Sequence, residues 1–302
     1  MSFKKNGTIK KAITVFTPTY NRAYILPKCY NSLKSQTNKD FEWLIIDDGS
    51  TDDTRSLVAA WQGLENGFPI RYISKENGGL HTGYNSAISN MDTELSVCID
   101  SDDSMPENGI ELILSEWNKV KSSGVAGLVG LDFDTSGRII GKRLPEDDLI
   151  NAASLLCIAG MGDKKYVVRN DLLKSVSPIP VFDGEKNFNP HYLIIKLSAQ
   201  YRFHPVNRCF CIVEYQPDGM TANIWKQYVN SHRSFAELRK AIMEVPGMTL
   251  QYKLKNAVHY CSSSQLAGNR HYIKESPRKL LTVLCTPAGW ALTWYIRRKA
   301  EN

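Results

Sequence analysis

The segment VCIDSDDSMP (residues 97–106) ends a strand-like apolar run with three closely spaced carboxylates, Asp100, Asp102 and Asp103. Like charges this close repel one another, and the repulsion grows as water is excluded. No lysine or arginine lies within ten positions of them. A hard divalent cation, Mg²⁺ or Mn²⁺, would neutralise the cluster by binding one or two carboxylates together with phosphate oxygens. A solvated helix cap is the alternative, and acidic clusters form caps or exposed turns more often than metal sites.

The residues before this segment alternate between short apolar runs and helical patterns, which favours a parallel sheet with crossover helices. The predicted strands are residues 13–17, which Pro18 ends, 41–46, 70–73 and 95–99. The predicted helices are residues 25–35, a helix through Trp61 with a capping box of Ser50 and Asp53, residues 79–90, and a helix that Asp103 or Ser104 caps.

Polar residues follow each of three predicted strands. Asp47 and Asp48 follow the second, residues 77–79 follow the third, and the acids follow the fourth. Ligands bind beyond the carboxyl ends of open parallel sheets, so we expect one shared site. Two acid pairs there suggest one carboxylate for a ribose or base and another for a metal. Gly78 and Gly79, just before a helix, favour a diphosphate, although two glycines alone would indicate only a turn.

The second half of the sequence is less regular. Strands are predicted at residues 128–133, 165–168 and 209–215, and helices at 192–199 and 225–243. Residues 280–296 (LLTVLCTPAGWALTWYI) carry no charge and are short for a membrane span, and Pro287 and Gly289 interrupt them. Basic residues lie on both sides of this stretch, which predicts a helix lying in a membrane interface.

The composition is that of an ordinary soluble protein. The 302 residues are 42% hydrophobic and 23% charged without internal repeats, which excludes a disordered or solenoid chain. The formal charge is +6, and a basic tail suggests an anionic surface. Seven cysteines without a CxxC pair fit neither a disulfide framework nor a zinc site. Residues 1–12 lack the apolar stretch of a secretory signal, so we expect a cytoplasmic protein.

Three segments in this order carry a family resemblance: TPTYNRAYILPKCYNSLKSQTNKDFEWLIIDDGSTDDT, KENGGLHTGYN and IDSDD. They resemble the nucleotide-binding half of the family 2 glycosyltransferases, over roughly residues 12–110. The resemblance implies an α/β GT-A fold, a Rossmann-type, mostly parallel sheet flanked by helices, here with a helical C-terminal extension. We expect a nucleotide-sugar-binding half at 1–125, an acceptor-binding half of the same domain at 126–221, and a helical region at 222–302 with a membrane-interface segment at 278–299.

The resemblance also implies roles for individual residues. The nucleotide-facing first loop corresponds to Thr17, Pro18 and Tyr20, and the acid that hydrogen-bonds the base corresponds to Asp48. The implied sugar-donor pocket contains Lys75, Asn77, Gly78, Gly79, Asp100 and Ser101, and the implied Mn²⁺ or Mg²⁺ ligands are Asp100, Asp102 and Asp103. Leu80 departs from the family, which usually has Lys or another polar residue there.

The base that deprotonates the acceptor hydroxyl is usually an Asp or Glu ahead of a helix in this family. The corresponding segment here, FDGEKNFNPHYLIIKL (residues 182–197), is altered, because His191 lies where an acid would be expected. We predict Glu185 as the base, then His191, then Asp183.

These patterns predict a metal-dependent inverting transferase that moves one sugar from a nucleoside-diphosphate sugar, most often a UDP-sugar, to a lipid-linked oligosaccharide. The Gln-x-x-Arg-Trp motif of processive synthases is absent from the sequence, which favours single addition. The expected pathway is bacterial capsule or O-antigen synthesis at the inner membrane face, without nucleic acid as a partner. Two alternatives stay open: a nucleotidyltransferase, against which TPTYNR after the first strand argues, and a non-catalytic sugar- or lipid-binding relative.

Overall fold

Seven strands form one mixed sheet in the computed structural model, which describes residues 10–214 and 224–301. The spatial order is β3-β2-β1-β4-β6-β5-β7. The strands are β1 (Ile13–Thr19), β2 (Phe41–Asp47), β3 (Ile70–Ser74), β4 (Leu95–Cys98), β5 (Gly127–Asp134), β6 (Lys164–Arg169) and β7 (Phe203–Val213).

Eleven α-helices accompany the sheet within the described residues. Those of the sheet region are α1 (Leu26–Lys34), α2 (Thr54–Gln62), α3 (Leu80–Asn90), α4 (Gly109–Val120), α5 (Asn170–Val176) and α6 (His191–Ser198). Those of the C-terminal region are α7 (Ile224–Asn230), α8 (His232–Glu244), α9 (Leu250–Leu266), α10 (Tyr272–Glu275) and α11 (Lys279–Glu301). Short 3₁₀ helices cover Lys121–Ser123 and Ala152–Cys157.

The first four strands are parallel, as the sequence predicts. β1 pairs with β2 and β4, and β2 pairs with β3. β1 runs through Pro18 to Thr19, so the prediction that Pro18 ends the strand is wrong. The pairing of β1 with β4 ends at Phe16, so the ladder does not require the N–H that proline lacks.

The second half of the chain completes the same sheet. β6 lies antiparallel between β4 and β5, and β7 is parallel to β5. β7 begins six residues earlier than predicted, at Phe203, and includes Pro205. Because β7 is the last strand of the sheet, a proline is tolerated there.

Two predicted helix starts are wrong. Ser50 does not cap α2, because its hydroxyl accepts a hydrogen bond from the N–H of Asn21; Asp52 accepts from Thr54 N at 3.1 Å instead. The helix expected directly after the acids begins at Gly109, because Ser104 first pairs with Ile212 of β7.

Two C-terminal helices also differ from prediction. The helix expected at residues 225–243 is divided at Ser231 into α7 and α8. α11 is continuous through Pro287, which lies inside the helix. No helix in the described ranges combines the length and hydropathy that crossing a bilayer requires.

Apolar side chains pack on both faces of the sheet because successive strand residues point to opposite sides. Trp43 and Ile45 of β2 belong to one core, and Leu44 and Ile46 to the other. A third, smaller core joins α8, α9 and α11. Gly289 lies where α11 crosses α9, and a Cβ there would lie 2.4 Å from Cys261 Cβ. The C-terminal helices are therefore packed closely on one another.

Candidate active site

A cavity of about 570 Å³ opens beyond the carboxyl end of β4. Asp100, Asp102 and Asp103 line it from the first half of the chain. Its walls from the second half include Asp132, Asp163, Lys164, Lys165, Tyr166 and His191. Both halves of the sheet thus contribute charged residues to one cavity.

The predicted glycine turn is fastened to Asp48. The Asp48 carboxylate accepts hydrogen bonds from Gly78 N at 3.0 Å and Gly79 N at 2.8 Å, and it pairs with Lys75 Nζ at 2.5 Å. Neighbouring Asp47 accepts from Ser50 N and from the hydroxyl of Tyr72. Asp48 therefore follows β2, as the sequence predicts, and its carboxylate oxygens hold the glycine turn in place.

A loop from the second half covers the same turn. Gly79 has φ +92°, and a Cβ at this position would lie 2.0 Å from the carbonyl oxygen of Lys186. The Lys186 ammonium donates to Asn77 Oδ1 at 2.8 Å. Only glycine permits this approach of the two backbones.

Thr17, in the loop predicted to face the nucleotide, links two strands of the sheet. Thr17 is buried, and its hydroxyl donates to Ile99 O at 2.7 Å and accepts from Trp43 Nε1 at 2.9 Å. It therefore ties β1 to the end of β4. Tyr20 is 48% exposed, and Leu80, the departure from the family pattern, lines the cavity.

The acids have a positive partner that the sequence did not indicate. Lys165 Nζ lies 3.4 Å from Asp103 Oδ2, and the Cys211 thiol donates to the same oxygen at 3.5 Å. Burial raises the pKa of Asp103 to about 6, although Lys165 opposes the rise. Asp103 therefore has a cationic partner within the protein, far from it in the sequence, and its role as a metal ligand stays a prediction.

Asp100 and Asp102 are the acids of this turn that fit a cation. Both are partly exposed to the cavity, and burial, reinforced by Asp100, raises the pKa of Asp102. No group of three or more potential metal ligands occurs among the described residues. Mg²⁺ typically takes one or two carboxylates together with substrate phosphates, so this pair of carboxylates fits such an ion.

Glu185 lies outside the residues that line the cavity. Its carboxylate accepts from Arg233 N at 2.9 Å, Ser234 N at 2.8 Å and Ser234 Oγ at 2.7 Å, at the start of α8. Burial would raise the pKa of Glu185, but these hydrogen bonds outweigh burial and lower it. The structure therefore gives Glu185 the role of a helix cap in place of the predicted base. Asp183 is exposed and also lies away from the cavity lining.

His191 is the predicted base that does line the cavity, at the first residue of α6. Its Nε2 is buried without a hydrogen-bond partner among the described residues. Burial lowers the pKa of His191 to about 4, so the imidazole is neutral. The ring centroids of His191 and Tyr166 lie 5.2 Å apart, in an edge-to-face arrangement.

Sequence reasoning missed Asp132 and Lys165. Asp132 is a charged residue within the predicted strand 128–133, and Lys165 begins the predicted strand 165–168. Charged residues are almost never fully buried unless paired, so their presence in apolar strands was an available signal.

Solved structures share this architecture. The fragment 1–349 of TarS from S. aureus, in complex with UDP, matches with a TM-score of 0.59 and 14% identity over 95% of this chain and 92% of that chain. A mannosyltransferase from Pyrobaculum calidifontis, in complex with GDP-Man and Mn²⁺, matches with a TM-score of 0.55 and 17% identity over 97% and 84% of the two chains. The fold is that of a GT-A glycosyltransferase.

Sequence comparison identifies the family. Residues 14–161 match Glycosyl transferase family 2, and an uncharacterized glycosyltransferase of Rickettsia typhi is 30% identical over 99% of this chain and 95% of that protein. The chain belongs to glycosyl transferase family 2.

Other relatives have names that state an activity. A GalNAc(5)-diNAcBac-PP-undecaprenol beta-1,3-glucosyltransferase of Campylobacter jejuni is 24% identical over 76% of this chain and 74% of that protein. A chondroitin synthase of Pasteurella multocida is 32% identical over 44% of this chain. The chain spans 14–20% of the length of the chondroitin and hyaluronan synthases that it matches.

Proposed function

We propose that this protein is a metal-dependent inverting glycosyltransferase that moves one sugar from a UDP-sugar to a hydroxyl of a lipid-linked oligosaccharide in bacterial surface polysaccharide synthesis. The observation that carries the proposal is the cavity, which brings the acid turn of β4 together with Lys165 and His191 from the second half of the chain. The complexes of TarS with UDP and of the Pyrobaculum enzyme with GDP-Man support a nucleotide-sugar donor. The name of the Campylobacter relative supports a lipid-linked acceptor.

Asp100 and Asp102 would hold Mn²⁺ or Mg²⁺ with the donor's diphosphate. A divalent ion at this position supplies Lewis-acid stabilisation of the charge that develops on the leaving diphosphate. Asp103 would support the turn through its ion pair with Lys165. Gly78 and Gly79, whose N–H groups donate to Asp48, would shape the donor side of the site at the start of α3.

The remaining protein groups position the acceptor. The neutral imidazole of His191 presents an unpaired Nε2 that can hydrogen-bond a sugar hydroxyl. Inversion requires the acceptor oxygen to attack the anomeric carbon from the side opposite the diphosphate, while a protein group takes the hydroxyl proton. Residues 126–221 would thus form the acceptor half of the domain, although residues 215–221 lie outside the described structure.

A nucleotide-sugar screen tests the function. We expect a UDP-sugar together with Mn²⁺ to raise the melting temperature, because a ligand that binds the native state stabilises it. The measurement is thermal unfolding with UDP- and GDP-sugars, with and without Mn²⁺, and UMP as a control without the diphosphate. If no nucleotide sugar shifts the melting temperature and none is turned over, the proposed function is wrong.

We also propose that α11 rests on the cytoplasmic surface of the cell membrane as a peripheral anchor. Its outer face exposes Leu280 (76%), Leu284 (70%), Trp290 (62%) and Trp294 (61%). The exposed basic side chains of residues 297–299 follow this face. Large apolar groups beside cations suit an anionic lipid surface.

Replacing these four exposed side chains with Gln should lower flotation with phosphatidylglycerol liposomes at least about tenfold, since each side chain loses on the order of 1 kcal/mol or more of apolar transfer energy. Deleting α11 would be a poor test, because its inner face buries Thr282, Cys285 and Ile296. Leu64→Gln/Leu149→Gln, at exposed leucines elsewhere, is the control. Unchanged flotation of the fourfold variant would contradict the anchor.

A further inference from the structure

We infer that Asp132 is the base that takes the proton of the acceptor hydroxyl; this inference rests on the proposed function. Asp132 lies near the end of β5 and lines the cavity that Asp100 and Asp102 also line. The residue before it, Leu131, pairs with Lys164 at the start of β6. The carboxylate therefore belongs to the wall that the second half of the chain contributes to the cavity.

The hydrogen bonding of Asp132 differs from that of three other acids near the site. The residue is 2% exposed, and its Oδ1 is buried without a hydrogen-bond partner among the described residues. Asp103, Asp48 and Glu185, by contrast, each hold protein donors. Leaving a buried charged oxygen unpaired is costly, so an oxygen of this kind in a cavity wall indicates a ligand group that completes it.

An ionised carboxylate accepts hydrogen bonds and donates none. The ligand group that fits Oδ1 is therefore a donor such as a hydroxyl. The cavity is also lined by Asp163 and the neutral His191, which are groups that suit a polyhydroxyl sugar. An acceptor hydroxyl that donates to Asp132 would have its oxygen lone pairs available for attack.

Electrostatics support this role. Burial raises the pKa of Asp132 to about 6, while the Lys165 ammonium opposes the rise and Asp163 adds to it. A base is most effective when its pKa lies near the working pH, because it is then mostly ionised and still binds a proton well. The pKa of about 4 makes His191 a weaker base, which leaves it the task of orienting the acceptor.

The proposed sugar transfer is a single displacement at the anomeric carbon. The acceptor oxygen forms a bond to the anomeric carbon, and the bond from that carbon to the diphosphate oxygen breaks. The electron pair of the broken bond stays on the diphosphate, and the hydroxyl proton moves to Asp132 Oδ1. No oxidant or further reactant is required.

The test uses the full-length protein, the UDP-sugar and Mn²⁺ that stabilise it, and water as the acceptor. Hydrolysis by water needs the same proton transfer and no knowledge of the natural acceptor. Asp132→Asn should slow hydrolysis on the order of 10²- to 10⁴-fold, the range of a lost general base. It should leave the donor-induced shift in melting temperature unchanged. Asp134→Asn, at a more exposed acid of the same strand, should hydrolyse the donor at the wild-type rate.

A second variant separates a base from a structural residue. Azide is already an anion and has no proton to lose, so it should restore turnover of Asp132→Ala and form a glycosyl azide, with little effect on the wild type. Wild-type rates for Asp132→Asn, a lost donor-induced shift, or no azide rescue would each overturn the assignment. If the wild type neither binds nor hydrolyses any nucleotide sugar, the proposed function itself fails, and the base assignment fails with it.

Discussion

Asp102→Asn should lower turnover on the order of 10²- to 10³-fold, because the loss of metal-ion stabilisation at a leaving group amounts to several kcal/mol. Asp102 is partly exposed and lines the cavity. The amide is isosteric, so the fold and the Lys165–Asp103 pair should persist. The measurements are donor turnover and the Mn²⁺-dependent shift in melting temperature, both of which should be lost.

Chelation provides the internal check for this variant. EDTA should reduce the wild-type rate to that of Asp102→Asn and have no further effect on the variant. Asp92→Asn is a matched control, because Asp92 lies just before β4 and its side chain is 85% exposed. An Asp102→Asn protein that keeps both its rate and its Mn²⁺ response would refute the metal role of this turn.

Gly79→Ala should cost roughly 2–6 kcal/mol of unfolding free energy. A non-glycine residue at φ +92° and ψ 166° costs about 1–3 kcal/mol, and the contact with Lys186 O adds about 1–3 kcal/mol of overpacking. Domains are typically stable by only about 5–15 kcal/mol, so the loss would be a large fraction of the total. Urea unfolding measures it, and donor binding should weaken as the turn shifts.

Gly184→Ala separates the two contributions. Gly184 also has a positive φ, +77°, but a Cβ there meets nothing within 4 Å. Its substitution should cost only about 1–2 kcal/mol, the backbone contribution alone. Equal losses for the two variants would show that the contact between Gly79 and Lys186 does not constrain the turn.

The parallel half of the sheet could be predicted because its signals are local. Apolar runs fix β1 to β4, and strand direction then gathers the residues that follow them, including Asp48 and the acid turn, at one edge. The family resemblance covers these same residues. The predicted strands and their parallel arrangement needed no information from distant parts of the chain.

The rest of the site depends on contacts between distant residues. Lys165 neutralises Asp103 from 62 positions away, and Glu185 caps a helix that begins 47 residues later. Neither contact can be found among residues that are near in sequence. Glu185 therefore resembled an available base, although its carboxylate is occupied, and Asp132 was overlooked because only the tertiary structure shows that its oxygen is unpaired.

The docking of the loop at residues 182–190 has a geometric consequence. Lys186 in this loop lies against Gly79, and the adjacent Glu185 caps α8, which packs on α9 and through it on α11. The candidate site and α11 are thus connected through a continuous series of packed elements. With α11 resting on a bilayer, the cleft would stand at a set height above the headgroups, and a glycan would have to be long enough to reach it before it could be extended.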